Sequence, residues 1–149
     1  MILSSLFRPG QLCAYGFRLG YVYSGKRLAS VDDVAAHFGL RRLGREWIEM
    51  TRDEAALVIV HVLGTSLPHG TSRLSHKDAQ GVATAFLAVF SVNTKFVSNC
   101  RWFDDASHDA ISKVSVPPQF ESGTDATFDG GVIGFSESIS GVLWLEDED

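Results

Sequence analysis

The chain has little that would cross-link it, and no membrane span. Only two cysteines, Cys13 and Cys100, occur among its 149 residues. They form no C-x-x-C pair, so neither a disulfide scaffold nor a cysteine-based zinc site is encoded. Two such thiols are expected to act as small hydrophobes, and a bridge between them needs Cα atoms within about 7 Å. No apolar run approaches the roughly 20 residues of a membrane span. Met1–Phe7 lacks a cationic stretch and a long apolar core, so no secretory signal is expected. Internal repeats, low-complexity tracts and long linkers are absent. Basic residues also run out: Lys113 is the last one, and every charge after it is negative.

The remaining composition is that of one folded unit. Hydrophobic residues make up 45% of the chain and charged residues 21%, which excludes a disordered or collagen-like chain and suffices for a single core. One soluble, cytoplasmic domain over residues 1–149 is expected. Charge is distributed unevenly. Residues 1–52 hold eight Lys/Arg against four acids, whereas residues 53–149 hold five against fourteen. The run Glu146-Asp147-Glu148-Asp149 ends the acidic part. A field of one sign steers an oppositely charged partner and repels nucleic acid, although such runs also serve solubility alone.

Hydrophobic periodicity divides the chain into a helical part and a strand-rich part. Arg8-Pro9-Gly10 reads as a turn, and Leu12–Tyr23 as a strand or irregular extended segment. Ser30 is placed to cap a helix, with Asp33 near its positive end and Val31, Val34, Ala35 and Phe38 on one face. Gly39 or Gly44 would end it. Trp47–Met50 is a short strand or a lead-in. Thr51-Arg52-Asp53-Glu54 matches a capping box before the apolar run Ala55–Leu63, which predicts a central buried helix or, through Val58-Ile59-Val60, a buried strand. Ser75 and Asp78 open a third helix with an apolar stripe through Phe90. Leu63–Ser75 and Val116–Asp125 read as loops. From Thr94 the pattern alternates, predicting strands at Thr94–Asn99, Phe128–Phe135 and Ile139–Glu146, the last two joined by a hairpin at Ser136-Glu137-Ser138. The last strand is apolar on both faces, as expected if both are covered or one faces a partner. This order predicts an α+β fold, with an N-terminal helical part packed on a C-terminal antiparallel β-sheet.

Most candidate chemical motifs have a plainer reading. The five histidines (His37, His61, His69, His76 and His108) make no metal-ligand spacing, so no metal or cofactor is expected. Gly134-Phe135-Ser136-Glu137-Ser138 lacks the final glycine of a nucleophile elbow and falls between strands. Gly130-Gly131 precedes no helix that could hold a phosphate. Asp104, Asp105 and Asp109 do not have the spacing of a calcium loop. Arg41, Arg42 and Arg45 cluster near a helix end, where cations suit the dipole, so nucleic-acid binding is not expected. One enzymatic alternative stays open: Cys100 beside Arg101 as a nucleophile with lowered pKa and His108 as its base, or another histidine-containing site.

The build resembles the small cytosolic immunity proteins of bacterial polymorphic toxin and secreted-effector systems. The resemblance rests on the compact helical part led by Thr51-Arg52-Asp53-Glu54-Ala55. It rests also on the strand-rich ending, Phe128-Asp129-Gly130-Gly131-Val132-Ile133 and Val142-Leu143-Trp144-Leu145-Glu146-Asp147-Glu148-Asp149. It implies a non-enzymatic protein that binds a cognate toxin domain and covers its active site. An acidic surface with an aromatic anchor would suit a toxin with a basic cleft. Trp102 is the expected anchor, with Asp104, Asp105, Asp109, Glu137, Glu146, Asp147, Glu148 and Asp149 as the expected carboxylates; Trp144 is expected in the core. No nucleic-acid or membrane partner is expected. A third option is a subunit that homodimerises through an edge strand.

Overall fold

Local capping sets each helix start. In the computed structural model, which describes residues 16–25, 27–64, 74–103, 123–124 and 128–147, helix α1 spans Val31–His37. Ser30 Oγ accepts from Asp33 N at 3.2 Å, and Asp33 Oδ2 accepts from Ala29 N at 3.1 Å. Gly39, at φ +79°, turns the chain out of the helix. Helix α2, Arg52–Gly64, begins with the predicted reciprocal cap: Thr51 Oγ1 accepts from Glu54 N, and Glu54 Oε1 accepts from Thr51 N. Helix α3, His76–Leu87, is capped by Ser75. The Arg52 guanidinium donates to the carbonyls of Leu87, Phe90 and Ser91 and lies over the Phe96 ring, tying the end of α3 to the start of α2.

Five strands form one antiparallel sheet: β1 (Gly16–Tyr23), β2 (Ile48–Met50), β3 (Lys95–Ser98), β4 (Phe128–Phe135) and β5 (Ile139–Asp147). Their spatial order is β1-β5-β4-β3-β2. The fold is α+β, with its helices in the N-terminal half and most of its sheet in the C-terminal half. The N-terminal half also supplies both edge strands. β1, ambiguous in sequence, pairs with β5 over its whole length, from Gly16↔Glu146 to Tyr23↔Ile139.

The sheet lies between two helical layers. α2 and α3 pack on one face with Val132, Leu143 and Leu145. α1 packs on the other with Val97, Ile133, Val142 and Trp144. β5 is therefore apolar on both faces because both are covered. Ala55–Leu63 is a helix, not a strand. It buries Ala55, Val58, Ile59, Val62 and Leu63 but leaves Ala56, Leu57 and Val60 half-buried, so it is less enclosed than expected. Among the described residues no helix is long and apolar enough to cross a membrane.

Candidate functional site

The residues with chemical potential gather where β3 ends and β4 begins. Gly130 makes this possible: a Cβ there would lie 2.7 Å from Trp102 Cζ2, so only a glycine admits the indole against the strand. Trp102 Nε1 donates to Ser98 Oγ at 2.8 Å, and Ser98 Oγ donates to Gly131 O at 2.5 Å. Asn99 follows directly after β3, with its Oδ1 3.3 Å from Ser98 Oγ. Its Nδ2 donates to the Asp129 carbonyl at 3.0 Å and to Asp129 Oδ1 at 3.1 Å. Gly123 N also donates to Oδ1 at 2.9 Å, while Oδ2 receives Thr124 N at 2.8 Å and Thr124 Oγ1 at 2.7 Å. A chain of polar contacts thus passes through the sheet, with Asp129 at one end and Trp102 stacked edge-on to His61 at the other.

Burial sets the electrostatics here. Asp129 is 1% exposed. Desolvation raises its pKa above the ordinary carboxylate value and outweighs the neutral donors of Thr124 and Gly123, which act the other way. The Trp144 indole also favours the ionised form, though its Nε1 falls short of hydrogen-bond geometry. Burial, and then the Asp129 charge, pushes the Cys100 thiol up. Cys100 is therefore a buried thiol and not an activated thiolate, which removes the basis for reading it as a nucleophile. Burial lowers the pKa of His61, whose buried Nε2 has no hydrogen-bond partner among the described residues.

Two open concavities lie elsewhere. One, of about 500 Å³, runs between α2 and α3 along Asp53, Leu57, Val60, Gln80 and Thr84. The other, of about 270 Å³, lies beside Asp32, Arg45, Trp47, Glu49 and Lys95. Neither is lined by Cys100, Asp129 or His61. Among the described residues no cluster of three His, Cys, Asp or Glu could hold a metal.

The expected binding residues are only partly gathered. Trp102 is 2% exposed and belongs to the core, which corrects its assignment as an exposed anchor. Its loop-like sequence context concealed the glycine and the histidine that pack against it, Gly130 and His61. Glu146 is engaged by Arg18 across β1 and β5, so it is not a free carboxylate. Glu137 is exposed at the β4–β5 hairpin, the opposite end of the sheet from Glu146 and Asp147. About 23 Å of extended strand separates Ile139 from Glu146, so Glu137 cannot share a compact patch with them. Asp104, Asp105, Asp109, Glu148 and Asp149 lie outside the described residues, as do Cys13, His69 and His108. Sequence reasoning missed the Asp129 network. Its one available signal was a lone acid inside an otherwise apolar and glycine-rich strand.

No family model, curated protein or solved structure matches the chain.

Proposed function

We propose that this protein is a non-enzymatic binding protein of the immunity type, which neutralises a cognate bacterial toxin domain in the cytoplasm by covering a basic active-site cleft. The observation that supports this reading most is a convergence in the topology. β5 ends at Glu146–Asp147, with Glu148 and Asp149 next in sequence, at the same end of the sheet where β3 leads to Phe103 and β4 receives the chain from Gly123. The segment between those two points carries Asp104, Asp105 and Asp109. Carboxylates borne on chain segments that leave the same end of a sheet would speed encounter with a basic partner. The burial of Cys100 favours binding over catalysis at that residue.

The test neutralises two groups separately: Asp104/Asp105/Asp109 to Asn, and Asp147/Glu148/Asp149 to Asn/Gln/Asn. Glu146 is left intact because its loss would break the Arg18 pair. Association with the toxin domain encoded beside this gene is measured at low and high salt. Each group should slow association and flatten its salt dependence, whereas Glu137→Gln at the other end should change neither. If neither group alters rate, affinity or salt dependence, the acidic-surface reading fails.

A further inference from the structure

The two edges of the sheet are finished differently. β2 is three residues long, and its exposed Glu49 lies 3.6 Å from Lys95, so that edge is short and charged. β1 runs for eight residues in unbroken register with β5, without a bulge or a proline. Its one charged side chain, Arg18, is held by Glu146 from β5. Ser24 N donates to Ser138 O, and a Cβ at Gly141 on β5 would lie 2.9 Å from Gly20 O. The even-numbered residues of β1 therefore turn their backbone groups toward β5, and Phe17, Leu19, Tyr21 and Tyr23 turn theirs outward. Among the described residues no strand lies beyond β1. The same four side chains share one face of the sheet. Phe17, Leu19 and Tyr21 are only partly buried against the α2–α3 core, and Tyr23 is 86% exposed.

We infer that β1 pairs antiparallel with β1 of a second copy of this chain, about a two-fold axis at Gly20, and joins two sheets into one. A long edge without charge, bulge or proline to blunt it is a template for another strand. Its pattern is complementary to itself. Residues directly opposite in an antiparallel pair share a face, and a two-fold at Gly20 sets Phe17 against Tyr23 of the second copy and Leu19 against its Tyr21. These residues point their backbone groups outward, so theirs are the hydrogen-bonded pairs of the new ladder. The two Gly20 residues meet in the close, non-hydrogen-bonded position, about 4.5 Å apart at Cα. On the other face, the half-buried Phe38 ring lies against Gly20, so the axis brings it to its counterpart. Charge favours the same register. Arg18 stands opposite Val22, not opposite a second Arg18, and keeps its bond to Glu146 on the inner side. The axis also sends Glu146 and Asp147 of the two copies to opposite ends of the joined sheet. The inference is independent of the toxin-binding reading, because it uses an edge of the sheet and leaves the acidic end uncovered.

The experiment is sedimentation equilibrium on the full chain, under reducing conditions, across about a hundredfold range of concentration. The mass should rise from 16.3 kDa to twice that value. Tyr23→Lys places a charge on the edge at a side chain with little packing to lose. It should raise the dissociation constant by about tenfold or more, with an unchanged circular dichroism spectrum. Tyr23→Pro removes one outward N–H and should weaken the dimer by a second route. Val92→Lys, at a residue 92% exposed before β3, should leave the dimer intact. In a mixture of isotope-labelled and unlabelled chain, intermolecular nuclear Overhauser effects should join Leu19 to Tyr21. The pairing is refuted if the mass stays at 16.3 kDa at every concentration. Slow amide exchange at Leu19 and Tyr23 in that monomer would then show the chain's own residues covering the edge, and fast exchange an open edge. The pairing is refuted equally if Tyr23→Lys dimerises as the wild type does, if Val92→Lys dissociates as far as Tyr23→Lys, or if the intermolecular contacts fall elsewhere.

Discussion

Replacing Trp102 by alanine separates its placement in the core from a role as a surface anchor. The side chain is 2% exposed and packs in the cluster formed by α2, α3 and one face of the sheet. Truncating a buried Trp to Ala costs about 3–5 kcal/mol through lost transfer energy and an unfilled cavity. The change also removes the indole donor to Ser98 and the ring that His61 meets edge-on. Trp102→Phe keeps most of the apolar volume but loses the N–H, so its cost should fall to about 1–3 kcal/mol. Typical domains have only about 5–15 kcal/mol in hand, so the alanine variant should lose roughly a fifth or more of its stability. Urea denaturation followed by far-ultraviolet circular dichroism measures both values, with an unchanged m-value if the transition stays two-state. The loss of stability relative to the wild type is the decisive readout. A Trp102→Ala variant destabilised by less than about 1 kcal/mol, yet impaired in binding a toxin domain, would falsify the packing argument and restore the anchor.

Three further outcomes follow from individual sites. A Cβ at Gly131 would lie 2.0 Å from Leu143 O on the paired strand, so Gly131→Ala should part β4 from β5 and cost more than about 4 kcal/mol, whereas Gly81, with nothing within 4 Å on α3, should accept Ala with a gain of about 0.5–1 kcal/mol; thermal melts of both test the contrast. Burial pushes the Tyr21 phenol up to about 12 from 10.0, and its hydroxyl donates to Phe86 O at 2.9 Å. Its contribution to stability is therefore complete below pH 10.0 and lost as pH rises through about 12, and an ultraviolet titration should show a phenol ionising there that Tyr21→Phe removes. In a Cys13→Ser background, Cys100 should resist a thiol-specific reagent in the native protein and react fully in denaturant; fast native labelling would show that it is exposed.

Capping and alternation were legible because both are local. Ser30, Thr51 and Ser75 mark the three helix starts through contacts three residues away. The both-faced apolar pattern of Val142–Leu145 announced a covered strand, and two separate clusters receive it. β1 was ambiguous because Gly16 and Gly20 weaken its pattern, and what makes it a strand is a partner about 120 residues away in sequence. Trp102 and Asp129 were misread or missed for the same reason. Each depends on a pairing across strands: Gly130 makes room for the indole, and the distant Asn99 and nearby Gly123–Thr124 satisfy the carboxylate. Nothing in a linear charge pattern distinguishes an acid that faces water from one enclosed by donors.

That distinction narrows what the acidic composition can mean for binding. Eight acids follow Lys113 in sequence. Asp129 is enclosed, Glu146 is engaged by Arg18, and Glu137 stands at the hairpin end. Any electrostatic attraction at the distal end of the sheet must therefore come from fewer carboxylates than the net charge suggests. Exposed charges separated by more than about 8 Å are largely screened at physiological salt. Long-range steering by the whole chain would persist when any one cluster is neutralised, whereas recognition by a local cluster would not. Removing Asp147, Glu148 and Asp149 together should thus reduce association far more than Glu137→Gln does per charge removed. Equal effects per charge would identify net charge, and not a defined surface, as the source of attraction.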